Sequence, residues 1–354
     1  MPTATSASWA ELPRNNGFFR VTSLVHRHCF LLLGIGALIA PRAARAQNDV
    51  DPASASQRPA LRVLLGRGDA APGSQETFTF NGAAYRGTFE RLDDGRIVNV
   101  LDLEAYLCSV VPQEMPSSWP AEALEAQSIC ARTYVLQRSD PRRAYDLVPS
   151  EVDQVYRGIA TETPAGIAAV GATRGRVLAF GGGFAQIAYS SCCGGHTESS
   201  SDAWGSTEIP YLQGVVCTWC SASSNYRWTA SLVLEEIASR LSAMLPPLGR
   251  LTDVRIVDRD ASGRARAFDL VTDRGDASVA GSAFRRAVGT RVLRSLLLAD
   301  VRRAPDGAAL VVAGAGLGHG VGFCQWGARG LALAGRAASD ILSFYFPGTA
   351  IGPS

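Results

Sequence analysis

The chain has 354 residues, of which 47% are hydrophobic and 19% are charged, and its formal net charge is +2 at pH 7. This length and composition allow a large core in one domain or in two closely packed domains. A chain so close to neutral has no basic stripe of the kind that nucleic-acid binding requires, so nucleic acid is not an expected partner.

Residues 1–46 are typical of an export signal. Arginines precede an apolar run of twelve residues, Cys29–Ala40, and Ala44-Arg45-Ala46 offers a cleavage site with small residues at both ends. The run is too short to span a bilayer, for which a helix needs about 20 residues. We expect a mature chain that begins near Gln47, has no transmembrane segment and works outside the cytoplasm, in the periplasm or cell wall. An uncleaved anchor is the alternative.

The remaining sequence alternates short apolar runs with amphipathic segments. Residues 47–60, rich in Pro, Ala and Ser, predict a linker. Strands are predicted at Leu61–Leu65, Phe78–Phe80, Tyr85–Phe89, Arg96–Leu103, Tyr106–Val111, Val177–Phe180, Ala185–Tyr189, Val254–Asp258 and Ala265–Thr272. Helices are predicted at 121–138, 163–173, Leu232–Met244, Ala280–Val288, Ala328–Ala334 and Ile341–Phe344. This mixture predicts an α+β fold of short-stranded mixed sheets with several helices.

One acidic residue in the stretch 101–138 has the surroundings of a general acid. Pro112 and Pro116 bracket Glu114, so a loop is expected between the predicted strand and the helix that follows. Neighbouring apolar residues would raise the pKa of its carboxyl, as a general acid working near neutrality needs. The alternative is a solvated or capping carboxylate beside a helix start.

Two polar residues on the helix that follows Glu114 are candidates for binding substrate. Gln127 and Arg132 carry hydrogen-bond donors and lie within the predicted helix. The alternative is that both side chains attach this helix to the preceding loop.

The segment 190–228 has the spacing of a zinc knuckle. Cys193 and His196 form one pair, and Cys217 and Cys220 form a second pair about twenty residues later. Cys192 is an alternative to Cys193, and a disulfide is the alternative to a metal in an exported protein. Four protein ligands would saturate the ion, so we expect zinc in a structural role.

A glycine-rich turn near the carboxyl end brings together His319, Gln325 and Trp326. Its glycines allow close approach of the backbone to a ligand and suit a saccharide or peptide groove. A structural histidine is the alternative. Cys324 has no base fixed beside it, which disfavours a nucleophilic role.

The motifs occur in an order that resembles the SpoIID/LytB family, which comprises the sporulation stage II protein D and the amidase enhancer. The resemblance extends from about Leu61 to Thr349, and it implies that residues 61–350 form one catalytic domain that includes the zinc-knuckle segment 190–228. The residues that carry it are Glu114-Met115-Pro116, Trp119-Pro120 with Glu122-Ala123-Leu124 and Ala126-Gln127, Ala131-Arg132-Thr133-Tyr134, Asp153-Gln154 with Tyr156 and Gly158, Tyr189-Ser190-Ser191 with Gly194-Gly195 and Thr197-Glu198, Pro210-Tyr211-Leu212, and Gly318-His319-Gly320 with Gly322, Gln325 and Gly327-Ala328.

The resemblance implies a peptidoglycan lytic transglycosylase that cleaves between N-acetylmuramic acid and N-acetylglucosamine and leaves anhydromuramic ends. The catalytic acid of the family falls on Glu114. A structural zinc near the Ser-x-x-Gly-Gly segment is also implied, as are peptidoglycan strands as the substrate. The predicted substrate-binding residues are Gln127, Arg132, Tyr189, Tyr211, His319 and Gln325.

The resemblance also implies an alternative from another functional class. The amidase-enhancer branch suggests a binding module that stimulates a partner amidase without chemistry of its own. A zinc peptidase is disfavoured because the sequence has no His-Glu-x-x-His motif. Cys108, Cys130 and Cys324 depart from the family pattern, in which small residues are frequent at these places.

Overall fold

The computed structural model describes residues 60–74, 76–245 and 248–354. The predicted export signal and residues 47–59 of the predicted linker lie outside them. The fold is α+β, as predicted. The strands are β1 (Leu61–Arg67), β2 (Ala70–Pro72), β3 (Thr77–Phe80), β4 (Ala83–Arg86), β5 (Thr88–Arg91), β6 (Arg96–Leu101), β7 (Arg176–Phe180), β8 (Gly183–Phe184), β9 (Tyr189–Ser190), β10 (Trp228–Val233), β11 (Leu251–Arg259), β12 (Ala265–Thr272), β13 (Ala277–Ala280), β14 (Leu298–Arg303), β15 (Ala309–Gly314), β16 (Phe323–Cys324) and β17 (Ala350–Pro353). The helices are α1 (Leu103–Glu114), α2 (Ala121–Arg138), α3 (Pro164–Ala172), α4 (Ser200–Trp204), α5 (Leu234–Leu241), α6 (Gly281–Val288), α7 (Gln325–Leu333) and α8 (Ala338–Tyr345).

The first hydrophobic core surrounds α1 and α2. Two antiparallel sheets, β1-β6-β5 and β2-β3-β4, pack with these helices, and α3, α7 and α8 complete the same core. Ile97, Leu107 and Ile129 are completely buried there. Because each buried aliphatic side chain contributes about 1.5–3 kcal/mol, this core holds the ends of α1 and α7 in fixed positions.

Helix α1 shows that the prediction of a strand at Tyr106–Val111 is wrong. The Asp102 carboxylate accepts hydrogen bonds from the N–H groups of Glu104 and Ala105, at 2.9 and 3.2 Å, and so begins a helix. The buried apolar residues recur at helical spacing: Tyr106, Leu107, Val110 and Val111. Glu114 is therefore the last residue of a helix and does not lie in a loop.

Pro112 lies inside α1 because the helix ends two residues later. Only one hydrogen bond of the last turn is lost there. The proline ring packs on Gly166 of α3, where an added Cβ would lie 2.6 Å from the ring Cγ. The glycine thus permits close packing of α3 against the end of α1.

A second hydrophobic core lies between β10 and β15 in the sequence. It contains the sheets β10-β15-β14 and β11-β12-β13 with α5 and α6, and the rings of Phe268 and Phe284 stack with centroids 4.4 Å apart. The predicted helix Leu232–Met244 is shorter than expected, because residues through Val233 pair with β15 and α5 begins only at Leu234. The predictions also lacked β13, β14 and β15.

Short strands far apart in the sequence join the carboxyl-terminal region to the first core. β16 pairs in parallel with β9, so that Phe323 lies opposite Tyr189 and Cys324 opposite Ser190. β17 pairs with β7 in antiparallel fashion. The first of these pairings places the start of α7 beside Tyr189.

Among the described residues, no helix has the length and apolar character needed to cross a membrane.

Candidate active site and cysteine cluster

Glu114 lies half-buried at the end of α1, where three donors from other parts of the chain face its carboxyl. Gln325 Nε2 donates to its Oε2 at 3.1 Å. The N–H of Val155 and the hydroxyl of Tyr189 are the other donors. Burial raises the pKa of the Glu114 carboxyl above its ordinary value, and the three hydrogen bonds oppose this only in part. The carboxyl is therefore displaced toward the protonated form that a general acid needs.

Two glutamine side chains form an amide pair next to this carboxyl. Gln325 Nε2 also donates to Gln127 Oε1 at 3.3 Å, so α2 and α7 meet at Glu114. Gln127 is completely buried, and its own Nε2 has no partner among the described residues. An unpaired buried donor costs about 1–3 kcal/mol, which a substrate oxygen or a water molecule would offset.

The Tyr189 hydroxyl is oriented by a neighbouring amide. Gln154 Nε2 donates to the hydroxyl at 3.1 Å, which leaves the phenolic proton free to point at Glu114. The strand β9 that carries Tyr189 is fixed by its pairing with β16. Tyr189 is thus a rigid donor to the acid.

His319 holds the backbone of Tyr189 in place and does not touch Glu114 itself. Its Nε2 donates to the Tyr189 carbonyl at 3.0 Å, and its Nδ1 accepts from the Val321 N–H at 3.0 Å. This pattern assigns one tautomer of a neutral ring. Burial lowers the pKa of His319 to about 4, so the ring stays neutral at neutral pH.

Besides His319, two other predicted substrate-binding residues, Arg132 and Tyr211, are not brought to Glu114. Arg132 is completely buried and forms a bidentate ion pair with Glu104, at 2.8 and 2.7 Å, and it also donates to the Arg176 carbonyl. Its guanidinium therefore ties α2 to the start of α1. The Tyr211 hydroxyl accepts from the Gln186 N–H at 2.7 Å, and its ring packs on Phe180.

The sequence argument missed two groups in contact with the site. Gln154 lies within the quoted Asp-Gln-x-Tyr motif, which is the signal that would have identified it. Val155 contributes only a backbone N–H, which no residue type reveals.

Four buried cysteines form a cluster on the side of α7 near its first residue. The Sγ atoms of Cys193, Cys217, Cys220 and Cys324 all lie within 4.8 Å of one another, and those of Cys193 and Cys220 are 3.6 Å apart. Tetrahedral zinc with Zn–S bonds of about 2.3 Å needs sulfur atoms roughly 3.8 Å apart. The donor set and its dimensions fit such an ion.

Backbone and hydroxyl donors surround the sulfur atoms of this cluster. Cys324 Sγ accepts from the N–H groups of Cys193 and Gly327, at 3.2 and 3.4 Å, and the Tyr345 hydroxyl lies 3.2 Å from Cys217 Sγ. Donors of this kind orient and stabilise thiolate ligands of a metal. The seven cysteines of the described residues are free thiols, so no disulfide competes for these sulfurs there.

The cluster differs from the predicted ligand set, which stays a prediction. His196 is not a member of the cluster, and its Nδ1 contacts the Thr197 carbonyl. Its own carbonyl accepts from Arg264 at 3.0 Å. Cys192 is not a member either, and its Sγ points toward the Cys220 carbonyl. Cys324 takes the fourth place.

Comparison with known proteins gives the family. A family model described as stage II sporulation protein, SpoIID, matches residues 93–180, and a model for a domain of unknown function, DUF8618, matches residues 218–322. An uncharacterized protein of Brachyspira hyodysenteriae is 32% identical over 284 residues, which are 78% of this chain and 75% of that protein.

Two Bacillus subtilis proteins with informative names are also similar. The amidase enhancer is 30% identical over 294 residues, 69% of this chain and 40% of the enhancer. Stage II sporulation protein D is 27% identical over 274 residues, 72% of this chain and 75% of that protein. With the matched SpoIID model and the geometry around Glu114, these similarities show that the chain belongs to the SpoIID/LytB family.

Proposed function

We propose that this chain is a peptidoglycan lytic transglycosylase with Glu114 as its single acid and base. The observation that carries the proposal is the Glu114 carboxyl, whose pKa is raised by burial while three fixed donors orient it. Such a carboxyl is protonated more readily than a solvated one and is held in one geometry.

The proposed reaction uses the Glu114 carboxyl twice. Protonated Glu114 gives its proton to the glycosidic oxygen between N-acetylmuramic acid and N-acetylglucosamine, and the bond from the muramic anomeric carbon to that oxygen breaks. The carboxylate then takes the proton of a hydroxyl on the same muramic ring as that hydroxyl attacks the anomeric carbon. Glu114 is protonated again at the end, no water is consumed, and the strand ends in anhydromuramic acid.

The side chains around Glu114 have defined roles in this proposal. Gln325, Tyr189 and the Val155 N–H stabilise the carboxylate that forms after the first proton transfer. The unpaired Nε2 of Gln127 is a donor for a sugar oxygen. A second carboxylate to activate water, as most glycosidases use, is not needed when the nucleophile belongs to the substrate.

A structural zinc site and a location outside the cytoplasm accompany the catalytic proposal. We propose that Cys193, Cys217, Cys220 and Cys324 bind one structural zinc ion, which supplies crosslinking of the chain and no catalytic step. The export signal predicted at residues 1–46 supports a location outside the cytoplasm, in the periplasm or cell wall.

The substitution Glu114→Gln tests the catalytic proposal. Wild-type protein incubated with purified glycan strands should produce anhydromuramic ends. The variant should produce them at a rate at least about 10²-fold lower, because a positioned acid usually contributes that much to the rate. The exposed residue Glu151 provides a matched control, because Glu151→Gln makes the same change outside the site. Mass spectrometry of the strands provides the measurement.

The similarity to the amidase enhancer supports a second candidate function, a binding module that stimulates a partner amidase. The same digestion separates the two functions. If wild-type protein alone yields no anhydromuramic ends but increases the release of stem peptides by an added cell-wall amidase, the transglycosylase proposal is wrong and the second function holds.

A further inference from the structure

The turn that carries His319 fixes the backbone of Tyr189. His319 Nε2 donates to the Tyr189 carbonyl at 3.0 Å, and the Tyr189 hydroxyl is one of the donors to Glu114. Gly320, the next residue of the turn, has a φ of +85°, in the left-handed region that favours glycine. A displacement of this turn would therefore move the Tyr189 donor relative to the acid.

A buried arginine from the loop before β12 packs against this turn. Arg264 directly precedes β12 and is only 1% exposed. A Cβ added to Gly320 would lie 2.6 Å from Arg264 Cζ, which is closer than any real Cβ contact. The guanidinium thus fills the space that a side chain at Gly320 would need, and only glycine permits this contact.

The Arg264 guanidinium is held by three groups that precede β10 in the sequence. Nη2 donates to the Cys193 carbonyl at 2.8 Å, Nη1 donates to the His196 carbonyl at 3.0 Å, and Nε lies 3.3 Å from Glu198 Oε2. The Glu198 N–H in turn donates to the Gly320 carbonyl at 3.0 Å. Because a buried charge without partners is costly, these contacts hold the guanidinium in one position beside the turn.

The two ends of the turn are fixed by different contacts. At its start, the Gly318 N–H donates to the Arg294 carbonyl at 3.0 Å. After His319, the turn rests on the Glu198 N–H and on the Arg264 guanidinium. Loss of Arg264 should therefore loosen the end of the turn beside His319 without detaching its start.

We propose that Arg264 is a positioning residue for the reaction at Glu114 and that it acts through Tyr189. It holds Gly320 in place, so that His319 keeps the backbone of Tyr189 fixed and the hydroxyl aimed at the acid. The region matched by the family model of unknown function thus contributes to the site, although none of the three donors to Glu114 belongs to it. This inference rests on the proposed function, since it takes Glu114 as the acid.

Direct titration of Glu114 tests this role without substrate. Glutamates are labelled with carbon-13 at the side-chain carboxyl, and the Glu114 signal is assigned by its absence from Glu114→Gln protein. The Tyr189 donor favours the ionised carboxyl, so Tyr189→Phe should raise the pKa of Glu114. Arg264→Met should shift this pKa in the same direction. In the double variant, Arg264→Met should add nothing to the effect of Tyr189→Phe, because two residues that act through one contact are not additive.

Leu270→Ala is the matched control for loss of stability. Leu270 is completely buried in the second core, so this change should lower the unfolding temperature and leave the pKa of Glu114 unchanged. If Arg264→Met lowers the unfolding temperature without shifting that pKa, Arg264 is only structural and the proposal is wrong. A shift that adds fully to that of Tyr189→Phe also overturns it.

Should Arg264→Met not fold, Gly320→Ala decides. The added methyl group would displace the guanidinium from the turn, while every hydrogen-bonding group of Arg264 remains in the chain. The pKa of Glu114 should rise in this variant too. A pKa equal to that of wild-type protein overturns the positioning role.

The two proposals fail separately in this design. The titration needs no glycan, so it decides on Arg264 even if wild-type protein makes no anhydromuramic ends. If wild-type protein makes these ends and the titration shows no shift, the catalytic proposal stands and the positioning role is wrong. If both hold, the alkaline limit of transglycosylase activity should move to higher pH in Arg264→Met, which a merely structural role would not cause.

Discussion

At the residue scale, the protonation of Glu114 is decided by competition between burial and three donors. Burial is the larger effect, because the pKa is raised although Gln325, Val155 and Tyr189 all favour the ionised form. A carboxyl whose pKa is raised on folding contributes its full stability below its ordinary pKa, and that contribution is lost as pH rises through the folded value. Ionisation of Glu114 therefore lowers the free energy of unfolding in the same pH range in which the proposed acid loses its proton.

The pH dependence of stability should reveal this loss of unfolding free energy. As pH rises above the ordinary pKa of a glutamate, the free energy of unfolding of wild-type protein should fall relative to that of Glu114→Gln, because only the wild type ionises this group. The change should be about 1.4 kcal/mol for each unit by which the pKa is raised. Denaturant unfolding at several pH values measures it, and transglycosylase activity should decline over the same window. Parallel stability curves for the two proteins would contradict the raised pKa.

Side chains with motif signals could be placed at the site from the sequence, whereas backbone groups could not. Gln127, Tyr189 and Gln325 lie in quoted motifs, and the structure brings Tyr189 and Gln325 to Glu114 and Gln127 to Gln325. The Val155 N–H has no counterpart in residue type, since every residue except proline has the same donor. Arg132 lies in a motif too, but the sequence did not show that Glu104 uses its charge.

At the element scale, the position of Glu114 depends on how α1 is attached to its neighbours. The ion pair between Glu104 and Arg132 joins the first turn of α1 to α2, and Arg132 also donates to the Arg176 carbonyl at the start of β7. The strand prediction for Tyr106–Val111 was based on the β-branched composition and the following prolines. The spacing of the same apolar residues is helical and favours the observed helix. The capping Asp102 was the local signal that would have favoured a helix.

Replacing Arg132 with methionine should be strongly destabilising. Glu104 would remain buried without its partner, and breaking a buried ion pair from one side costs about 3–5 kcal/mol. The double variant Glu104→Leu with Arg132→Met should recover part of this loss, because no buried charge is left unpaired. Thermal or denaturant unfolding of the single and double variants provides the measurement.

The same two variants distinguish a structural role of Arg132 from a role in substrate binding. If the ion pair is the role of Arg132, the folded double variant should bind glycan strands as the wild type does. A folded double variant with wild-type unfolding behaviour but without strand binding would restore Arg132 to the substrate-binding residues.

At the scale of the whole molecule, two hydrophobic cores are connected through the region of the cysteine cluster. Arg264, which precedes β12 of the second core, donates to the carbonyls of Cys193 and His196 and pairs with Glu198. The cluster itself joins Cys193 to Cys324, which are 131 residues apart in the sequence. Short-range spacing predicted the pairs at 193–196 and 217–220, but it could not reveal that the pairing of β9 with β16 adds Cys324 to the cluster.

The proposed zinc site adjoins the acid, because Gln325 follows Cys324 directly and contacts Glu114. Purified protein should contain about one zinc per chain, and a chelator that removes it should lower the unfolding temperature, since metal binding is coupled to folding. Cys324→Ala should lose most of the zinc, whereas His196→Ala should keep it, because the imidazole lies outside the four-sulfur group. Elemental analysis and thermal unfolding of both variants provide the measurement. The opposite result, with zinc retained by Cys324→Ala and lost by His196→Ala, would restore the ligand set predicted from sequence spacing and separate the metal from the position of Gln325.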